Sequence, residues 1–195
     1  MEDKEFLESC LLASALHEAG HVVVNLHYKS WPDFATIEPT EEHIARVHSA
    51  RLPYTYLASI AEQLADPEAL LRQYSHSACA GAAAEIIREG DIEWFEPACE
   101  FIGRYDDVSI STDFGRLEIC INLILKRQGN DDPEKWPLDK VSPFDVLFEE
   151  LFEETIDILK SHWASVEAIE QALLKHKTLD REQLLEIYEG VESQK

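Results

Sequence analysis

Between residues 12 and 26 the apolar side chains Leu12, Ala15, Leu16, Ala19, Val23 and Leu26 recur at helical spacing, falling on one arc of a wheel turned about 100° per residue. His17 and His21, four residues apart, project from the other side, with Glu18 between the two faces. The pattern predicts a helix led in by a short polar stretch, residues 1–10. It should end near Lys29-Ser30-Trp31-Pro32, because proline cannot continue it. Residues 34–38 and 44–48 then have strand composition and are separated by Pro39-Thr40-Glu41-Glu42, which predicts a small hairpin. Residues 54–65 fit neither period cleanly. Asp66-Pro67-Glu68 reads as a helix start, with Asp as N-cap and Pro at the first helical position, and the helix should run to about Arg88. From Ala78 to Ala84 that helix carries almost only small residues, which admit a second helix backbone at close range; the 12–26 helix is the expected neighbour.

Residues 90–107 show no period and hold Trp94, Phe95, Phe101 and Tyr105 among many acids, as a long functional loop does. Helical spacing resumes at Leu117, Ile121 and Ile124, placing Asp113 in a first turn, where an acid also answers the helix dipole and the orphan amides. After a Pro- and Asp-rich connection over 129–143, Ser142-Pro143 opens a helix through Phe144, Leu147, Leu151, Phe152 and Ile156. Residues 163–175 give another, and Asp180 caps a last one ending at Gly190. The expected fold is mainly α, one domain of 195 residues with a small β-hairpin or short sheet.

Charge narrows the partners. With 39 acidic against 17 basic residues the net charge is -22, which repels phosphate backbones and anionic lipid and argues against nucleic acid or membrane partners. The chain has no apolar run of membrane-spanning length, and Met1-Glu2-Asp3-Lys4-Glu5 lacks the basic flank and apolar core of a signal peptide. Cys10, Cys79, Cys99 and Cys120 have no CxxC spacing and read as reduced thiols, so the expected setting is cytoplasmic.

The candidate chemistry lies in His17-Glu18-Ala19-Gly20-His21, an HExxH pattern in which two imidazoles on one helix face bind Zn2+ and the glutamate serves a water as general base. The third ligand stays open on the residues alone. Glu85, on a later helix, competes with Asp113, which on its own reads as a capping acid. His27, His43, His48, His76, His162 and His176 have no ligand spacing with one another and read as surface or packing residues, with His48 and His76 nearest the site elements.

In chain order, His17–His21 with Val22-Val23, Ala35-Thr36-Ile37-Glu38-Pro39, Ala80-Gly81-Ala82-Ala83-Ala84-Glu85, Ser109–Phe114 and Lys177-Thr178-Leu179-Asp180 resemble the FtsH-type zinc peptidase domain across about residues 10–188. The resemblance implies a helical zinc-peptidase domain in which His17, His21 and Asp113 are the ligands. Glu18 would be the base, and the glutamate of the later helix, Glu85, would be unliganded but able to orient an imidazole. It also implies a peptide or unfolded-protein substrate lying extended along the hairpin edge near residues 34–38. The chain departs from the family in having no P-loop and no spanning helix, in Ala80-Gly81-Ala82 where the family has Gly-Gly-Arg, and in Thr112 where it has Asn. Thr40-Glu41-Glu42-His43 stands where a basic, glycine-containing turn is expected. The expectation is therefore an ATP-independent metalloendopeptidase acting on small or unfolded substrates, or on ones brought by a separate partner or a homo-oligomer. The alternative is a non-catalytic interaction protein on a peptidase scaffold.

Overall fold

Helix α1 (Glu2–His27) is longer and more deeply enclosed than its pattern alone predicts. The structure, a computed structural model, describes residues 2–39, 45–49, 54–89, 112–136 and 141–195. Among these, α1 is followed by β1 (Pro32–Thr36), β2 (Arg46–Ser49), α2 (Tyr54–Gln63), α3 (Glu68–Glu89), α4 (Asp113–Gln128), α5 (Pro143–Ser161), α6 (Trp163–His176), β3 (Thr178–Asp180) and α7 (Arg181–Glu192). The chain is mainly α with a short sheet, as its periodicity predicts. The loop expected over 90–107 lies outside the described residues, as do residues 40–44 and Cys99. Cys10, Cys79 and Cys120 are free thiols. Among the described residues no helix is long and apolar enough to cross a membrane.

The chain forms two compact units. Met1–Arg51, Ala80–Glu93 and Ile156–Lys195 make up the first; Leu52–Cys79 and Trp94–Thr155 make up the second.

In the first unit α1 is the central element. Ala15, Leu16, Ala19, Val22, Val23, Val24 and Leu26 are buried, and so are His21 on the ligand-carrying face, Glu18 between the faces, and Asn25. Leu12, expected to pack, is exposed. A helix enclosed on all sides needs neighbours all round. Here α6, α7, β1 and β2 supply them, with Val166, Ile169, Leu173 and Leu184 buried. Residues 80–89 of α3 supply the closest approach, in accord with their small side chains. A Cβ on Gly20 would lie 2.5 Å from the Ala80 carbonyl oxygen and 2.9 Å from Ala84 Cβ. The helix ends before Pro32, because Lys29 adopts φ 55° and Ser30 and Lys29 donate to the carbonyls of Asn25 and Leu26, both at 2.9 Å. Pro32 instead begins β1.

The expected hairpin is present, with Phe34, Ala35 and Thr36 opposite His48, Val47 and Arg46. A third strand was not expected. β3 lies antiparallel to the other edge of β1, Ala35 facing Leu179 and Thr36 facing Thr178, their hydroxyls 2.7 Å apart. The order β2-β1-β3 makes β1 the middle strand. This corrects the expected substrate path where it runs along residues 34–36, since those main-chain groups already pair on both sides. At the other end of β3, Asp180 caps α7 in a reciprocal box with Gln183, and the helix continues past Gly190 to Glu192 rather than stopping there.

The second unit holds α2, which resolves the ambiguous stretch as helix, with residues 68–79 of α3, α4 and residues 143–155 of α5. Leu57, Tyr74 and Cys120 form a core with Leu70 and Leu123 against it. Glu68 donates its amide to Asp66 Oδ1 and Ser142 Oγ accepts from Asp145, so both predicted helix starts form. Gly129, at φ 73°, ends α4 in the left-handed conformation that glycine adopts without a Cβ penalty.

Candidate metal centre

The HExxH pattern is on α1, and its two imidazoles meet. Nε2 of His17 and Nε2 of His21 are 3.1 Å apart, with ring centroids separated by 4.8 Å and planes inclined at 68°. Two imidazoles bound to one zinc ion at about 2.05 Å, with these nitrogens in place, subtend about 100° and hold their centroids about 4.8 Å apart, whereas a head-on hydrogen bond would separate them by about 5.4 Å. The observed separation is the one that two imidazoles sharing an ion would have.

Residues 80–89 of α3 set His17 in that direction. Glu85 Oε1 accepts from His17 Nδ1 at 2.8 Å, which places the ring proton on Nδ1 and leaves the Nε2 lone pair for a metal. One turn earlier, a Cβ on Gly81 would fall onto the His17 imidazole, against its Cε1, Nε2 and Cδ2 atoms. The ring thus lies across the bare backbone at Gly81 and is gripped at its far edge by Glu85. Of the two sequence readings of Glu85, this contact fits the orienting one. Glu18 is buried at 6% exposure and His21 at 8%, while His17 keeps an open side with 30% of its side chain accessible.

Asp113 opens α4 in the second unit. Thr112, not Asp113, provides the cap: its Oγ1 accepts from the Gly115 amide at 3.1 Å. Asp113 Oδ1 accepts from Arg116 Nη1 at 3.1 Å. In the first unit His17 and His21 offer two imidazole nitrogens, and in the second Asp113 offers a carboxylate oxygen, donor types that suit a metal ion.

The remaining histidines have other settings. His48 stacks on Phe34 with planes 5° apart, and its Nδ1 donates to Asp33 Oδ2 at 3.0 Å; Asp33 is also bound by Arg181. His76, in the second unit, is 2.8 Å from Glu154. Burial pushes its pKa below the ordinary histidine value, against the upward pull of Glu154 and with the help of the Arg72 charge. Sequence reasoning missed the role of Gly81, for which the only signal was a glycine within an alanine run one turn before Glu85. It also missed the pairing of His27 with His162, which no spacing could indicate.

No protein-family model matches the chain, and no curated protein matches it.

Proposed function

We propose that the chain is a zinc-dependent metallopeptidase in which His17, His21 and Asp113 hold the ion and Glu18 is the general base. The reading agrees with the resemblance to FtsH-type peptidase domains. The observation that carries it is the convergence of the two Nε2 atoms at 3.1 Å while Glu85 holds the far nitrogen of His17. A carboxylate behind a ligand histidine fixes its tautomer and raises its basicity. The donor set suits the ion, because two neutral imidazoles and one carboxylate leave a divalent cation with net positive charge and a vacant position for water or substrate. When bound, zinc supplies Lewis acidity, bringing the pKa of a water towards about 7 and polarising a carbonyl.

The protein's own groups do the rest. Glu18, adjacent to His17 and shielded from bulk water, takes a proton on a carboxylate oxygen and returns it to the leaving amine nitrogen. Arg116 anchors one oxygen of Asp113. The substrates are peptides or already unfolded chains. With both sides of β1 occupied, main-chain pairing with them falls to the outer edge of β2 or β3.

The test is zinc content together with casein cleavage in the wild-type chain and in Glu18→Gln and Asp113→Ala. One tightly bound equivalent of zinc, kept in Glu18→Gln and lost in Asp113→Ala, with cleavage absent from both variants, is the expected result. That tight equivalent retained in Asp113→Ala and lost in His17→Ala/His21→Ala would remove Asp113 from the ligand set. A wild-type chain with neither zinc nor cleavage would overturn the reading and leave a scaffold that binds without catalysing.

A further inference from the structure

A second pair of imidazoles meets at the C-terminal end of α1. His27 is in the last turn of that helix and exposed; His162 occupies the single-residue break between α5 and α6. His27 Nδ1 lies 3.1 Å from His162 Nε2, the same separation as in the HExxH pair. The ring centroids are 5.2 Å apart with planes inclined at 66°. That is wider than the 4.8 Å of the HExxH pair at the same nitrogen separation, so an ion held by both nitrogens requires the two rings to turn towards it.

The back of His162 is built like the back of His17. Its Nδ1 is 3.0 Å from Glu192 Oε1. Glu192 is itself tied down, accepting from Ser165 Oγ at 2.6 Å and from Lys195 Nζ at 2.8 Å. The Tyr188 hydroxyl is 3.4 Å from His162 Nδ1, and the Tyr28 ring meets His27 edge-on. A carboxylate on one nitrogen of a histidine, with the other nitrogen turned towards a second imidazole, is the arrangement that surrounds metal-bound histidine.

We propose that His27 and His162 form a second, solvent-accessible site for a divalent transition metal of the imidazole-preferring class, zinc, nickel or copper(II), with Glu192 orienting His162. The ligand class follows from two nitrogen donors with no thiolate. Glu192, held in place by Ser165 and Lys195, presents a carboxylate oxygen to His162 Nδ1. It also offsets the Lys195 ammonium, which would otherwise repel a cation. The site rests on residues distinct from the HExxH helix face, and its existence does not depend on peptidase activity.

Zinc titration of the full chain against a chelating competitor tests it, with copper(II) electron paramagnetic resonance reporting nitrogen ligation. The expected result is a second, weaker equivalent of zinc that is absent from His27→Ala and from His162→Gln. It should weaken about 10–100-fold in Glu192→Gln and persist in a His17→Ala/His21→Ala background. Circular dichroism identifies any variant that has failed to fold, and His27, at an exposed helix end, is the substitution least able to disturb the core. A wild-type chain that takes up one equivalent, lost with His17 and His21, would overturn the proposal. So would a second equivalent that survives both His27→Ala and His162→Gln.

Discussion

Replacing Gly81 by alanine adds one methyl group at the point where α3 passes under the His17 imidazole. The new Cβ would overlap the ring at Cε1, Nε2 and Cδ2, so the ring has to turn away. His17 is the far end of a side chain and can move, so most of the cost falls on the site, not the fold. Alanine in a helix interior is favoured over glycine by about 0.5–1 kcal/mol, and overpacking costs about 1–3 kcal/mol. The first offsets part of the second, and stability without metal should fall by at most about 2.5 kcal/mol. A turned ring, however, loses its 2.8 Å hydrogen bond to Glu85 and its convergence with His21. Disturbing the support of a ligand lowers metal affinity by about 10–100-fold, and misplacing the ligand itself lowers it further. Zinc affinity by chelator competition, beside urea unfolding in EDTA, separates the two effects. Gly190→Ala is the control: that glycine is also inside a helix, α7, but its Cβ would meet nothing within 4 Å. It should gain about 0.5–1 kcal/mol and keep full zinc affinity. Gly81→Ala with zinc affinity within twofold of wild type would refute the claim that the bare backbone at Gly81 seats His17.

Three further outcomes follow from the packing and charges. Gly20→Ala places a Cβ against main chain, 2.5 Å from the Ala80 carbonyl, which cannot swing aside, so urea unfolding should show a loss of about 1–3 kcal/mol or more. Arg88 pairs through two guanidinium nitrogens with Glu170, which is 1% exposed, and lies over the Trp163 ring. Arg88→Met leaves that carboxylate buried without its partner and should cost about 3–5 kcal/mol, read as a fall in the urea midpoint. For Glu192 the folded pKa of about 2 lies below the ordinary 4.5, so its contribution to stability is complete above pH 4.5 and fades as pH falls towards 2. Thermal midpoints measured from pH 5 to pH 2 should therefore fall less steeply in Glu192→Gln than in wild type; equal slopes would contradict the assignment.

Features that depend on neighbours a few residues away were legible in the sequence. Repeats of three and four residues marked α1, α4, α5 and α6, and cap residues marked helix starts at Asp66, Ser142 and Asp180. The HExxH spacing placed His17 and His21 on one side of one helix because a helical turn alone requires it. Small residues over 78–84 announced a close helix contact, since the absence of side-chain bulk is a local property. Local rules also misjudged some details. Lys29 ends α1 through a left-handed residue and Gly190 does not end α7, because the hydrogen bonds available at a helix terminus decide both.

What tertiary structure alone decided involves residues far apart in the chain. Burial of α1 on its ligand side came from elements packed around it, which no period within α1 encodes. β3 pairs with β1 across more than a hundred residues, moving the predicted hairpin edge to the middle of a sheet. The Glu85 contact to His17 spans 68 positions, and the His27–His162 contact spans 135. A histidine's chemistry is set by what faces each ring nitrogen, and here those groups come from other helices. The sequence by itself determined which side chains could do chemistry and on which helices they stand. The packing of those helices determined which nitrogen of each histidine is held and which is offered, because side-chain direction becomes definite only when neighbouring backbones occupy the alternatives.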